Sequence, residues 1–281
     1  MRPDAVPINV AIVGVQKAAT STLHALLADH PEVARTTRKE LHFFDDERRD
    51  WSRPDYSRYH GVRTASSQWA AVDATPAYLF WPGALARMRA YDADMPLIAS
   101  FRDPVERAFS QWLMQKGREA STPGFNTLVL RSLDAGAAQV HPKRLRSRSI
   151  VARGFYGHQL SGAFDSFARS QWLLLDFDDV VADQAAVCRR MTDFIGLRAL
   201  DGRATPVQQR KSAPLPDTAL RPPRPSVLTR LAAAYDRDLA LFEELSGVST
   251  ARWPTRRLVE GSLDVDAWAA TFQNKLAGTA P

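Results

Sequence analysis

Four short apolar runs, at residues 8–13, 69–73, 96–101 and 172–177, recur along the chain with helical patterns between them. Each is too short for a buried helix and reads as a strand buried on both faces. The intervening segments carry helix punctuation. Residues 20–29 form an amphipathic stretch that stops before His30-Pro31, and 104–116 begins with proline, which suits a first helical position. Val105, Ala108, Phe109 and Trp112 share one face of that second helix. Similar patterns span 155–168, 183–195 (closed by Gly196) and 227–245, the last ending before Trp253-Pro254. Strands alternating with helices predict a mostly parallel sheet covered on both faces.

Composition narrows the class. With 281 residues, 45% hydrophobic and 24% charged, the chain can bury a sizeable core. No run of 18 apolar residues occurs, so no membrane span is expected, and the short apolar start lacks a signal-peptide pattern, which makes a cytoplasmic location the expectation. Cys188 is the only cysteine and sits among Val187, Met191, Phe194 and Ile195, as a buried structural thiol would. The six histidines do not fall into a ligand spacing, and no metal is expected. The formal charge of +6 fits nucleic acid or a polyanionic small molecule equally well. No helix carries a continuous basic face, so nucleic acid is not the expected partner.

The local motifs are more decisive. The strand at 8–13 runs into Gly14-Val15-Gln16-Lys17-Ala18-Ala19-Thr20-Ser21-Thr22 and then into a helix. A strand–turn–helix with one lysine and three hydroxyls can place N–H groups, a helix N-terminus and a cation around an anion. A helix capped at Thr20 or Ser21 beside a solvated lysine is the alternative. The loop lacks the Gly-Lys-Ser/Thr of a Walker motif, which weakens a kinase reading. Farther on, a strand ends at Arg102, and Asp103-Pro104-Val105-Glu106 caps a helix on which Ser110 lies two turns later. Arg102 and Ser110 could grip one phosphate from two sides, where open α/β sheets bind ligands. Arg107 is expected to be structural, paired with an acidic neighbour.

The lysine-first loop resembles the 5′-phosphosulfate loop of sulfotransferases that use 3′-phosphoadenosine 5′-phosphosulfate (PAPS), especially the carbohydrate and heparan-sulfate type and related bacterial enzymes. Ala18-Ala19 stand where a glycine is common. Arg102-Asp103-Pro104 with Arg107 and Ser110 resembles that family's 3′-phosphate motif. Arg38-Lys39-Glu40-Leu41-His42-Phe43-Phe44 resembles the segment that supplies its catalytic carboxylate. Asp73-Ala74-Thr75-Pro76-Ala77-Tyr78 is similar to the next segment, with Ala74 where some relatives have lysine. Gly154-Phe155-Tyr156 and the run from Trp172 to Val180 also match, covering roughly residues 8–255.

The resemblance implies an α/β, P-loop-like three-layer fold, with a mostly parallel central sheet flanked by helices, as one sulfotransferase domain. Its core would be about 8–255 and its helical tail 256–281. Lys17, Ala18, Ala19, Thr20, Ser21 and Thr22 would hold the phosphosulfate, and Arg102 and Ser110 the 3′-phosphate. Arg210, Lys211 and Ser212 would fold over the nucleotide, although they depart from the family's Lys-Gly pair. Glu40 would be the general base with His42 as runner-up, and Lys17 would neutralise the leaving oxygens. Asp73 would orient the acceptor or support Lys17, with a buried strand-end aspartate as the alternative, and Tyr156 would lie by the substrate. The expected reaction is sulfuryl transfer from PAPS, leaving 3′-phosphoadenosine 5′-phosphate (PAP), to a hydroxyl or amine of a carbohydrate or small natural product. A small-molecule kinase and a non-catalytic nucleotide binder are the rivals, and a homodimer is left open.

Overall fold

A computed structural model describes residues 4–136, 149–199 and 220–276. They group into two compact units, residues 4–101 with 161–199, and residues 102–136 with 149–160 and 220–276. The expected site residues Arg210, Lys211 and Ser212 lie outside the described residues.

The first unit holds the sheet. The apolar run expected at 8–13 forms β2 (Val10–Gly14), and a further short strand, β1 (Ala5–Pro7), precedes it. Pro7 has no N–H to continue a ladder. Asn9 bridges instead with its side chain: its amide donates to the Trp69 carbonyl and its Oδ1 accepts from the Ala71 N–H at 2.9 Å. β1 then pairs antiparallel with β4 (His60–Val62), a strand with no alternating pattern to announce it. Strand β2 continues into the main sheet, whose order is β3 (Val33–Ala34), β5 (Ala70–Asp73), β2, β6 (Leu97–Phe101) and β7 (Trp172–Asp176). All four pairings are parallel. Every residue of β2, β5 and β6 is buried, as expected of strands covered on both faces.

Helices α1 (Thr20–Ala28) and α7 (Gln184–Ile195) seal one core. Leu23, Leu26 and Leu27 meet Val187, Cys188 and Met191 over Val10, Ile12 and Val72. Each fully buried aliphatic side chain there contributes about 1.5–3 kcal/mol. Cys188 is buried, as its neighbours imply. Asp183 caps α7 through the Ala186 N–H, and Gly196 ends it with a left-handed φ. Asp176 caps the short α6 (Phe177–Ala182). A second apolar cluster is aromatic: Phe43 and Phe44 pack with Tyr59, Tyr78 and Tyr91, the last from α2 (Ala84–Tyr91).

The second unit is helical. α3 (Pro104–Arg118) buries the face expected of it, and Phe109 meets both Phe125 of α4 (Phe125–Asp134) and Phe272 of α10 (Val265–Leu276) edge-on. α8 (Pro225–Ser246) buries Leu228, Leu231, Tyr235, Leu239 and Phe242, and α9 (Pro254–Val259) follows it. Arg107 is fully buried. Its guanidinium donates to Gln111 Oε1 at 2.7 Å and to the Ile150 carbonyl, so it pairs with neutral acceptors rather than the acidic neighbour expected. The chain enters α5 (Tyr156–Phe164) through a turn whose first N–H groups, at Gly157 and His158, donate to the Asp238 carboxylate on α8. No helix among the described residues is long and apolar enough to cross a membrane.

Candidate active site

Strand β2 delivers the chain to a turn that has no glycine after Gly14. Two ordinary residues take the left-handed conformation instead, Lys17 with φ 75° and Ala19 with φ 59°. Each costs about 1–3 kcal/mol in isolation, so the surrounding fold must hold them there. The Ala18 N–H donates to the Val15 carbonyl and the Val15 N–H to Ser100 in β6, which ties the turn to the sheet. Ala18 is buried, as are Thr20 and Thr22, whereas Lys17 and Ala19 are half-buried and Ser21 is exposed.

The N-cap of α1 is Ala19, which has no side-chain oxygen to accept from the first turn, and that turn contains no acidic residue. The capping alternative, with Thr20 or Ser21 as N-cap, is therefore not how the chain folds. The positive end of the helix, next to a lysine and hydroxyls, is of the kind that can receive an anion.

A second cluster of groups follows α1 in the same unit. Glu40 (φ 62°) and His42 (φ 52°) are also left-handed. Their backbone is held by side chains from the end of β5 and the turn after it. The Leu41 N–H donates to Asp73 Oδ1 at 3.4 Å, the His42 N–H to Thr75 Oγ1 at 3.3 Å and the Phe43 N–H to the Tyr78 hydroxyl at 2.8 Å. Asp73 is 1% exposed and accepts as well from the hydroxyls of Thr75, Tyr78 and Tyr59 at 2.7, 2.7 and 3.0 Å. Burial raises its carboxyl above the usual range, and these donors oppose the shift. Asp73 thus organises the turn from beneath, as the strand-end alternative describes, and presents no open oxygen to an acceptor.

On this platform stands a chain of charges. The imidazole of His42 meets the buried Asp45 through Nδ1 at 2.8 Å and Glu40 through Nε2 at 3.5 Å. Lys39 Nζ lies 2.6 Å from the other Glu40 oxygen. The Asp45 and Glu40 carboxylates, outweighing burial, push His42 up to about 9. His42 and then Lys39 hold Glu40 down to about 2, against burial. At neutral pH the pair is imidazolium and carboxylate, and only Glu40 of the two has lone pairs to take a proton. The Glu40 side chain is 43% exposed, open to an incoming group. Nearby, a cavity of about 360 Å³ is lined by His24, Arg35, Arg38 and Lys39 together with one carboxylate, Asp29, a predominantly basic recess.

In the second unit, Arg102 precedes the Asp103 N-cap of α3. Its guanidinium is 2.7 Å from Glu106 Oε2, and Ser110 lies on the same helix face four residues beyond Glu106. The backbone of Arg102 is fixed by Tyr156, whose hydroxyl donates to its carbonyl at 2.8 Å. Tyr156 is fully buried, so it supports Arg102 from below rather than lining an open surface. Asp103 accepts from the Glu106 N–H at 2.9 Å and from the Thr255 N–H of α9 at 2.7 Å. The second of these bonds, like that from the Phe43 N–H to Tyr78, joins residues far apart in sequence and carried no local signal.

A family model described as "Sulfotransferase domain" matches residues 7–213. The chain belongs to the sulfotransferase family. That membership sets aside the kinase alternative. Heparan sulfate glucosamine 3-O-sulfotransferase 3B1 of Mus musculus is 32% identical over 191 residues, 67% of this chain and 46% of that protein. The same enzyme type 6 of Mus musculus is 32% identical over 189 residues, 66% of this chain and 52% of its own length. The chain thus spans about half the length of these curated sulfotransferases. The crystal structure of a sulfotransferase from Alicyclobacillus acidocaldarius superposes with a TM-score of 0.66 at 25% identity, covering 88% of this chain and 99% of that one. The α/β, P-loop-like sulfotransferase fold is thereby established.

Proposed function

We propose that this sulfotransferase moves the sulfuryl group of PAPS onto a hydroxyl, or an amine, of a carbohydrate or small natural-product acceptor, with Glu40 as the base. The observation that carries the reading is the exposed Glu40 carboxylate, held ionised by His42 and Lys39 on a strained turn. Such a group can accept a proton as the acceptor oxygen attacks, while His42, already protonated and backed by Asp45, keeps it oriented. His42 acts as the positioning cation rather than the base.

The uncapped N-terminus of α1, free of acidic side chains, fits a phosphosulfate, and Lys17 with Thr20, Ser21 and Thr22 would hold it. When bound, PAPS supplies an activated sulfuryl group whose leaving oxygens gather charge. Lys17 and the helix N-terminus meet that charge. Arg102 and Ser110 would hold the 3′-phosphate. The basic recess beside Lys39 favours a polar or anionic acceptor.

The test is calorimetric titration of PAP against the wild type and Arg102→Ala, with ATP as control. The expected result is PAP binding well above ATP binding and at least about tenfold weaker in the variant. Equal or better binding of ATP overturns the reading. PAP binding without sulfuryl transfer to any member of a panel of sugars and phenolic alcohols would point to the non-catalytic nucleotide binder.

A further inference from the structure

The family match ends at residue 213, yet the last helix reaches the group expected to anchor the nucleotide. α10 docks on α3 through Phe272, whose ring centroid is 4.7 Å from that of Phe109. One turn later Lys275 places Nζ 3.1 Å from Glu106 Oε1, while the other oxygen of that carboxylate is 2.7 Å from Arg102. All three side chains are mostly buried, with 27%, 21% and 18% exposure for Lys275, Glu106 and Arg102. Screening by solvent is correspondingly weak.

We propose that Lys275 is a positioning residue for nucleotide binding, acting through Glu106 to keep Arg102 available to a phosphate. This rests on the reading of Arg102 as the 3′-phosphate anchor. Glu106 has two tasks that conflict. It orients the Arg102 guanidinium, and it competes with any phosphate for that same cation. Lys275 resolves the conflict by sharing the carboxylate. The neighbouring Asp103 carboxylate is engaged by the Glu106 and Thr255 N–H groups, and the trio itself, two cations and one carboxylate, carries one net positive charge. Remove the lysine and the trio is neutral, so Glu106 holds Arg102 as an internal ion pair. Remove the charge of Glu106 as well and the positive charge returns, while a glutamine can still accept from Arg102.

That charge logic separates coupling from mere packing. PAP and AMP, which lacks the 3′-phosphate, are titrated into wild type, Lys275→Met, Lys275→Arg and Lys275→Met/Glu106→Gln, with thermal midpoints recorded alongside. Lys275→Met should weaken PAP about five- to tenfold and leave AMP unchanged. Lys275→Arg should retain wild-type affinity, and the double variant should return PAP affinity to within about twofold. Equal loss for PAP and AMP, no loss for either, or a double variant as weak as Lys275→Met would overturn the proposal. A wild type that does not distinguish PAP from AMP, or an Arg102→Ala variant that still binds PAP fully, would instead overturn the anchor reading and this proposal with it.

Discussion

At the scale of single residues, the chemistry of the candidate site depends on how two titrating neighbours divide one proton. Asp45 and Glu40 stabilise the charged imidazole of His42, and His42 in turn depresses Glu40. Glu40→Gln keeps the shape and the left-handed turn but loses the acceptor of the proton. We expect turnover to fall by about 10²–10⁴ while PAP affinity stays within about twofold, measured by single-turnover kinetics and calorimetry. Loss of affinity matching that of a Lys17 variant would remove Glu40 from the role of base. The same residues set a pH dependence of stability. His42 titrates higher folded than unfolded, so its contribution is complete below its ordinary value of 6.5 and disappears as pH rises through about 9. Denaturant midpoints of the wild type should therefore decline between about pH 7 and about pH 9, and a His42→Gln variant should lose that part of the slope.

At the scale of elements, the turn at 40–44 is shaped by the end of β5 and the turn after it rather than by its own sequence. Tyr78 is the keystone: its hydroxyl donates to Asp73 and accepts from Phe43. Tyr78→Phe should cost about 1–3 kcal/mol in chemical denaturation and reduce kcat more than PAP affinity. Equal effects on both would mean that Tyr78 serves only the fold. In the helical unit, the join of α5 to α8 needs a residue without a side chain. A Cβ on Gly157 would come within 2.5 Å of the Asp238 carbonyl oxygen, a backbone atom that cannot step aside. Gly157→Ala should therefore lower stability by about 1–3 kcal/mol, readable as a lower thermal midpoint.

At the scale of the whole molecule, the parts most legible in the sequence were those that local chemistry dictates. Buried strands announce themselves as apolar runs, and Asp103-Pro104 and Asp183 announce helix starts. The fold departed from expectation where distant groups decide. β1 and β4 have ordinary composition and exist because each finds the other. α2 is short, with only Ala84, Leu85 and Met88 buried, and was not anticipated. In the site, Lys17, Glu40 and His42 were legible as chemistry, but their left-handed backbone was not. Nothing in a lysine, glutamate or histidine favours positive φ, and the partners that hold Glu40 and His42 are more than thirty residues away. Arg107 shows the same limit: its charge suggested an acidic partner, and burial gave it a carbonyl and an amide.

The sheet order has a consequence for how the protein is made. Strand β6 gains its second neighbour, β7, only after roughly seventy further residues have left the ribosome, most of them belonging to the other unit. Until then the main sheet of a nascent chain carries four strands and a bare edge at Leu97–Phe101, apolar except for Ser100. A translation product cut short before Trp172 should be captured by chaperones or precipitate, whereas one that extends past Asp176 can close its own edge.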